Sequence, residues 1–142
     1  MIISLGSCLT VTDLLQGATP TNTRSCLANP TQLSWEKTKY SSDFEAGKSV
    51  DIESLFKANG SGKIVKHEVA FYYRDFKIFG FKGDVDADFE VGKPFVFTHT
   101  VNVPKTILPT LSIQIRLKTY NAQKEELTCV SFDLYFPKTF DF

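Results

Sequence analysis

Net charge is missing from this sequence: its 142 residues carry 16 Lys and Arg against 16 Asp and Glu. A balanced chain leaves no basic footprint for nucleic acid, and none for an anionic membrane surface. Long apolar runs are missing too, since nothing approaches the roughly 20 consecutive apolar residues that carry a helix across a bilayer. Gly-rich phosphate loops and the G-x-S-x-G nucleophile elbow are absent, which removes two common routes to an active site. Cysteine is scarce, and Cys8, Cys26 and Cys129 never reach C-x-x-C spacing, so the usual zinc and dithiol redox motifs do not form. Helical periodicity is nearly absent as well, which argues against a parallel α/β fold.

Phenylalanine is what the chain has in excess: 13, against one Met and one Trp. Phe brings a large apolar surface at low entropic cost, so it suits strands, aromatic cores and lined cavities. Hydrophobic residues make up 42% of the chain, enough to oppose disorder, and the length fits one domain with a sizeable core.

Alternation supplies the positive signal. Leu111, Ile113, Ile115 and Leu117 alternate with Ser112, Gln114, Arg116 and Lys118, giving one buried and one wet face. After a polar turn at 121–126, Val130, Phe132, Leu134 and Phe136 alternate again, which predicts an antiparallel hairpin. Upstream sets are Phe95, Phe97, Val101 and Val103; Val65, Val69, Phe71 and Tyr73; Val50, Ile52, Ser54 and Phe56; and a first strand opening at Leu33 and Trp35. Phe76, Ile78, Phe79 and Phe81 form a short run that is apolar on both sides. The fold class expected is all-β: an immunoglobulin-like β-sandwich of about seven strands. Residues 16–34, rich in Thr, Asn, Pro and Ser, read as loop, and Gly80–Asp88, with Asp84, Asp86 and Asp88, as a solvated acidic loop without calcium-loop spacing.

His67 shares strand parity with Val65 and Val69, and His99 with Phe97 and Val101, so both read as partly buried strand histidines and not as catalytic bases. No catalytic residue, metal ligand or cofactor is expected. Asn59-Gly60-Ser61 is a glycosylation sequon on an expected turn. The first 17 residues are mildly apolar with no preceding Lys or Arg, a poor signal peptide; a leader remnant and an ordered arm both stay open. For Cys26 and Cys129, a bridge joining the two ends of the sandwich and free thiols in a cytosolic protein are equally compatible with the residues alone.

Four local features then order themselves along residues 45–136. They are Ala46-Gly47-Lys48-Ser49-Val50-Asp51-Ile52, the strand at Gly62–Tyr73, the strand ending in Val103-Pro104 before Leu108-Pro109, and Ile115–Phe132 with its cysteine two residues after a leucine. In order and spacing these features resemble the ML lipid-recognition family, the family of mite group 2 allergens, the lysosomal sterol-transfer protein and plant lipid-transfer relatives. The resemblance covers about two-thirds of the chain. It implies an apolar cavity between the sheets, and non-catalytic binding and transfer of a lipid such as a sterol, fatty acyl chain or phospholipid. It also implies that Cys26 pairs with Cys129 while Cys8 stays free. Family members usually carry a further disulfide in the loop before the "t-v-P" strand; here 79–91 contains no cysteine.

By that resemblance and by parity, the ligand-lining residues are Phe71, Phe76, Ile78, Phe81, Phe95, Phe97, Ile113, Ile115 and Phe132, with Lys77, Lys82 or Lys93 near a head group. The expected organisation is an N-terminal arm or leader remnant over 1–25, the sandwich over 26–137 and a C-terminal tail over 138–142. Expected partners are a lipid or other apolar small molecule, transient membrane contact and no nucleic acid, in a monomer that is secreted or endolysosomal, with cytoplasmic as the alternative. The competing expectation is an immunoglobulin-like protein-interaction module with a packed core and no ligand.

Overall fold

The computed structural model describes residues 17–30, 32–104 and 112–135. Eight strands, β1 (Thr21–Ser25), β2 (Leu33–Tyr40), β3 (Ser49–Ala58), β4 (Gly62–Tyr73), β5 (Phe76–Phe89), β6 (Pro94–Asn102), β7 (Ser112–Tyr120) and β8 (Glu126–Tyr135), build two antiparallel sheets. The larger sheet runs β1-β8-β7-β4-β5 and the smaller β2-β3-β6. The sandwich expected from alternation is the fold observed, with one strand more than counted.

Alternation sets each face. In β3, Val50, Ile52, Ser54, Phe56 and Ala58 are buried while their neighbours face water; in β6, Phe95, Phe97, His99 and Val101 do the same. The hairpin of β7 and β8 pairs Ile115 with Phe132 and Leu117 with Val130. Its turn is closed by the Asn121 side chain, whose Oδ1 accepts from the Gln123 and Glu125 amides at 3.0 and 2.9 Å. Leu111 and Phe136, expected in this hairpin, lie outside the described residues, as do Cys8, the residues before 17 and the tail.

Two expected loops are strands instead. Within 16–34, Thr21–Ser25 forms β1, paired with β8, and β2 has already begun at Leu33. A polar strand is tolerated at a sheet edge because its stability comes from backbone pairing. The segment Gly80–Asp88 continues β5, fourteen residues long. Its alternate aspartates are the wet face of that strand, answered across β4 by Lys63 to Asp86 at 3.0 Å and by Lys66 to Asp84. In β4 a register shift between Ile64 and Lys66 reverses the phase, so Ile64 is fully buried and Val65, expected to face inward, is not.

Cys26 and Cys129 are disulfide-bonded across a sequence separation of 103. The bond ties the residue after β1 to β8, where the Cys26 amide also donates to the Cys129 carbonyl at 2.8 Å. Asn59 is exposed on the β3–β4 turn, with its side chain donating to Ser34 Oγ.

Candidate functional site

The nine residues expected to line a cavity divide into a buried and an exposed group. Phe71, Ile113, Ile115 and Phe132 belong to one apolar cluster, packed with Phe44, whose ring lies 5.3 Å from that of Phe132. Phe95 and Phe97 belong to a second cluster at the other end of the sandwich, with Phe56 and Phe89. Phe76, Ile78 and Phe81 are instead 74%, 47% and 43% exposed.

Strand pairing explains the division. Phe81 lies opposite Val69 and Phe79 opposite Phe71, so both phenylalanines share the inner face of the larger sheet. Ile78, next to Phe79, points to the opposite face, and the register shift between Phe71 and Tyr72 leaves it without a partner on β4. The inner series of β5 is therefore Phe79, Phe81, Gly83, Val85, Ala87 and Phe89, and Phe79 is the member that parity reasoning over 76–81 passes over. Its signal lies further along: odd positions stay apolar or small to Phe89 while even positions carry Lys82, Asp84, Asp86 and Asp88.

Phe79 and Phe81 face inward yet stay 43% exposed each because of how the sheets overlap. Contacts between the sheets include β2 with β8 and β4 with β6, and at the far end of β5 the Phe89 ring lies 5.6 Å from Phe95 of β6. The Val85–Phe89 end of β5 is thus packed against the smaller sheet, while its Phe76–Phe81 end stays exposed. At that end the strand overhangs and leaves an apolar shelf open to water, on which the Phe79 ring stacks against that of Phe71 at 4.4 Å. Lys77 and Lys82, expected near a head group, lie on the opposite, outer face of the sheet, Lys77 bound to Glu68 at 2.8 Å and Lys82 lying over the Tyr120 ring. Lys93 sits away from the shelf, paired with Glu90.

The shelf meets the interior at two histidines. His67, on β4, lies 6.3 Å from Phe81 and 5.7 Å from His99, which reaches across from β6. Burial lowers both pKa values; for His99 it prevails over a bond to the Lys118 carbonyl and brings the ring to about 4. Both imidazoles are thus neutral at pH 7. Neither has a carboxylate or a nucleophile bonded to it among the described residues, and no metal-holding cluster occurs there either.

Surface depressions of about 420 and 450 Å³ lie at opposite ends of the sandwich. The first is polar, between the β4–β5 turn and the start of β7, and takes in only Ile113 of the expected residues; the second takes in only Phe95.

No known family profile matches the sequence, and no curated protein does. Solved structures match the fold. A Niemann-Pick type C2 protein from Japanese carpenter ant superposes with a TM-score of 0.61 at 18% identity, over 79% of this chain and 96% of that one. Chicken MD-1, solved in complex with lipid IVa, gives 0.57 at 10% identity, over 80% and 87%. The protein shares the β-sandwich fold of these two proteins. A sporulation control protein from Bacillus subtilis, Spo0M, is also similar, at 0.51 and 13% identity, though this chain covers only 50% of its length.

Proposed function

We propose that this protein binds and transfers a lipid or similarly apolar ligand, without catalysis, at the gap between its sheets beneath the Phe79–Phe81 end of β5. The observation that carries the reading is the overhang: Phe79 and Phe81 lie on an inner face, beside the buried Phe71, yet remain open to water. An inner sheet face left uncovered is an unfilled part of the core. An acyl chain or sterol laid against it gains about 0.8 kcal/mol for each CH₂ removed from water, so affinity needs no catalytic group. The fold shared with a Niemann-Pick type C2 protein and with MD-1 in its lipid IVa complex supports the same reading, as do the four ordered motifs of residues 45–136. The disulfide supports a secreted or endolysosomal location, because such bonds persist in oxidising compartments.

The ligand-lining set proposed is Phe71, Phe79 and Phe81 at the opening, with Phe97, Ile113, Ile115 and Phe132 behind them as the sheets part. The packed interior-facing residues, several with no exposure at all, favour a second reading, a filled interaction module. Titration with a fluorescent fatty acid separates the two. Saturable binding that is lost in Phe79→Ser/Phe81→Ser, with the melting temperature little changed, is the result expected of the lipid reading. No binding by the unmodified protein is the result expected of the module.

A further inference from the structure

A row of polar positions crosses the middle of the sandwich. Cross-strand partners Gly83, His67, Thr119 and Thr128 follow one another over β5, β4, β7 and β8, on the inner face. His99 comes down onto the row from the smaller sheet. Thr119 and Thr128 are buried and share a hydroxyl–hydroxyl bond of 2.6 Å. The buried apolar residues gather in two separate clusters.

Hydrogen bonding in this belt is incomplete. The Lys118 carbonyl can only accept, so His99 Nε2 donates to it at 3.3 Å and Nδ1 of the neutral ring keeps its lone pair. His67 Nδ1 is buried with no partner. The two threonine hydroxyls own two protons, and the bond between them uses one. Buried polar atoms left unpaired cost free energy, and each one in a native fold calls for a missing partner. The belt also opens on the shelf: any Cβ at residue 83 would come within 2.8 Å of His67 Nε2, so the ring is seated on bare glycine at β5, next to the half-exposed Phe81.

We infer that the His67–His99–Thr119 belt is a subsite for the hydroxyl group of an otherwise apolar ligand, a long-chain alcohol or hydroxylated lipid lying along Phe79 and Phe81. The inference rests on the lipid-binding reading above and narrows it. A hydroxyl both donates and accepts, which matches a spare threonine proton and a spare imidazole lone pair. An ionised carboxylate only accepts, and it would bring an unpaired charge beside two neutral rings. A hydrocarbon leaves the belt as it is.

The test compares dodecan-1-ol with its methyl ether, which accepts but cannot donate, by displacement of the neutral probe N-phenyl-1-naphthylamine from the full chain. The unmodified protein is expected to bind the alcohol about tenfold more tightly, the worth of roughly one buried hydrogen bond. In His67→Phe, and separately in the near-isosteric Thr119→Val, each first shown by circular dichroism and melting to keep the fold, the preference is expected to fall to about twofold or less. Equal binding of alcohol and ether by the unmodified protein overturns the belt while leaving the lipid reading intact. A preference that survives in both variants also overturns it. If the unmodified protein does not take up N-phenyl-1-naphthylamine at all, the lipid reading itself fails.

Discussion

Acidification from near neutral to near pH 5 perturbs the interior at a known place. His99 is 5% exposed, its ordinary pKa of 6.5 is lowered to about 4, and the burial that lowers it is a property of the folded state alone. The unfolded chain therefore binds a proton below pH 6.5 that the folded chain refuses until about pH 4. Stability is complete above the unfolded value and is lost as the pH falls through that window. A difference of between two and three pKa units corresponds to about 3 kcal/mol in full, of which ~2 kcal/mol is gone by pH 5. His67, lowered in the same direction by its own burial, adds to the loss. Glu68 contributes mainly at lower pH: burial pushes its pKa up, but the bonds from Lys77 and Tyr120 and the charges of Lys77 and Lys82 hold it below 4.5. Urea unfolding near pH 7 and near pH 5 measures the difference. His99→Phe is expected to remove about 2 kcal/mol of the pH dependence. An unmodified protein equally stable at both values, or a His99→Phe variant that keeps the full slope, refutes the reasoning.

Two further predictions concern how the frame is held. The Cys26–Cys129 peptide pair is expected in non-reducing mapping, and Cys26→Ser is expected to lower stability by about 4 kcal/mol, the closure entropy of a loop this long; recovery of both residues as free thiols contradicts it. Gly80→Ala is expected to cost more than Gly83→Ala in thermal unfolding. A Cβ at 80 meets the Val69 carbonyl oxygen at 2.9 Å, where sheet backbone must move, while a Cβ at 83 meets the His67 ring, which can turn; the reverse order contradicts the placement of β5.

Much of this arrangement was legible in the sequence, and the parts that were not share a cause. The hairpin of β7 and β8 follows from clean alternation at Ile113–Leu117 and Val130–Leu134, because each strand has one buried face. β1 left no such trace, since neither face is deeply buried and its TNTRS sequence looks like a turn. β5 was hidden for the opposite reason. Its aspartates, paired with lysines on β4, carry strand alternation in a composition that otherwise marks loops. Parity fails wherever a register shift intervenes, as at Val65, because a bulge reverses inside and outside without any signature in composition. The same parity did place His67 and His99 inward. That the two rings meet depends on which strands the fold sets face to face, and this is a property of topology, which no local pattern carries.

Native mass spectrometry of the purified protein, followed by organic extraction and lipid analysis, tests the central claim most directly. Lipid binding at the overhang predicts a population heavier than the chain by the mass of one bound lipid, lost on extraction and absent from Phe79→Ser/Phe81→Ser. A single bare mass from the unmodified protein, unchanged after incubation with fatty acids, sterols and long-chain alcohols, would contradict it.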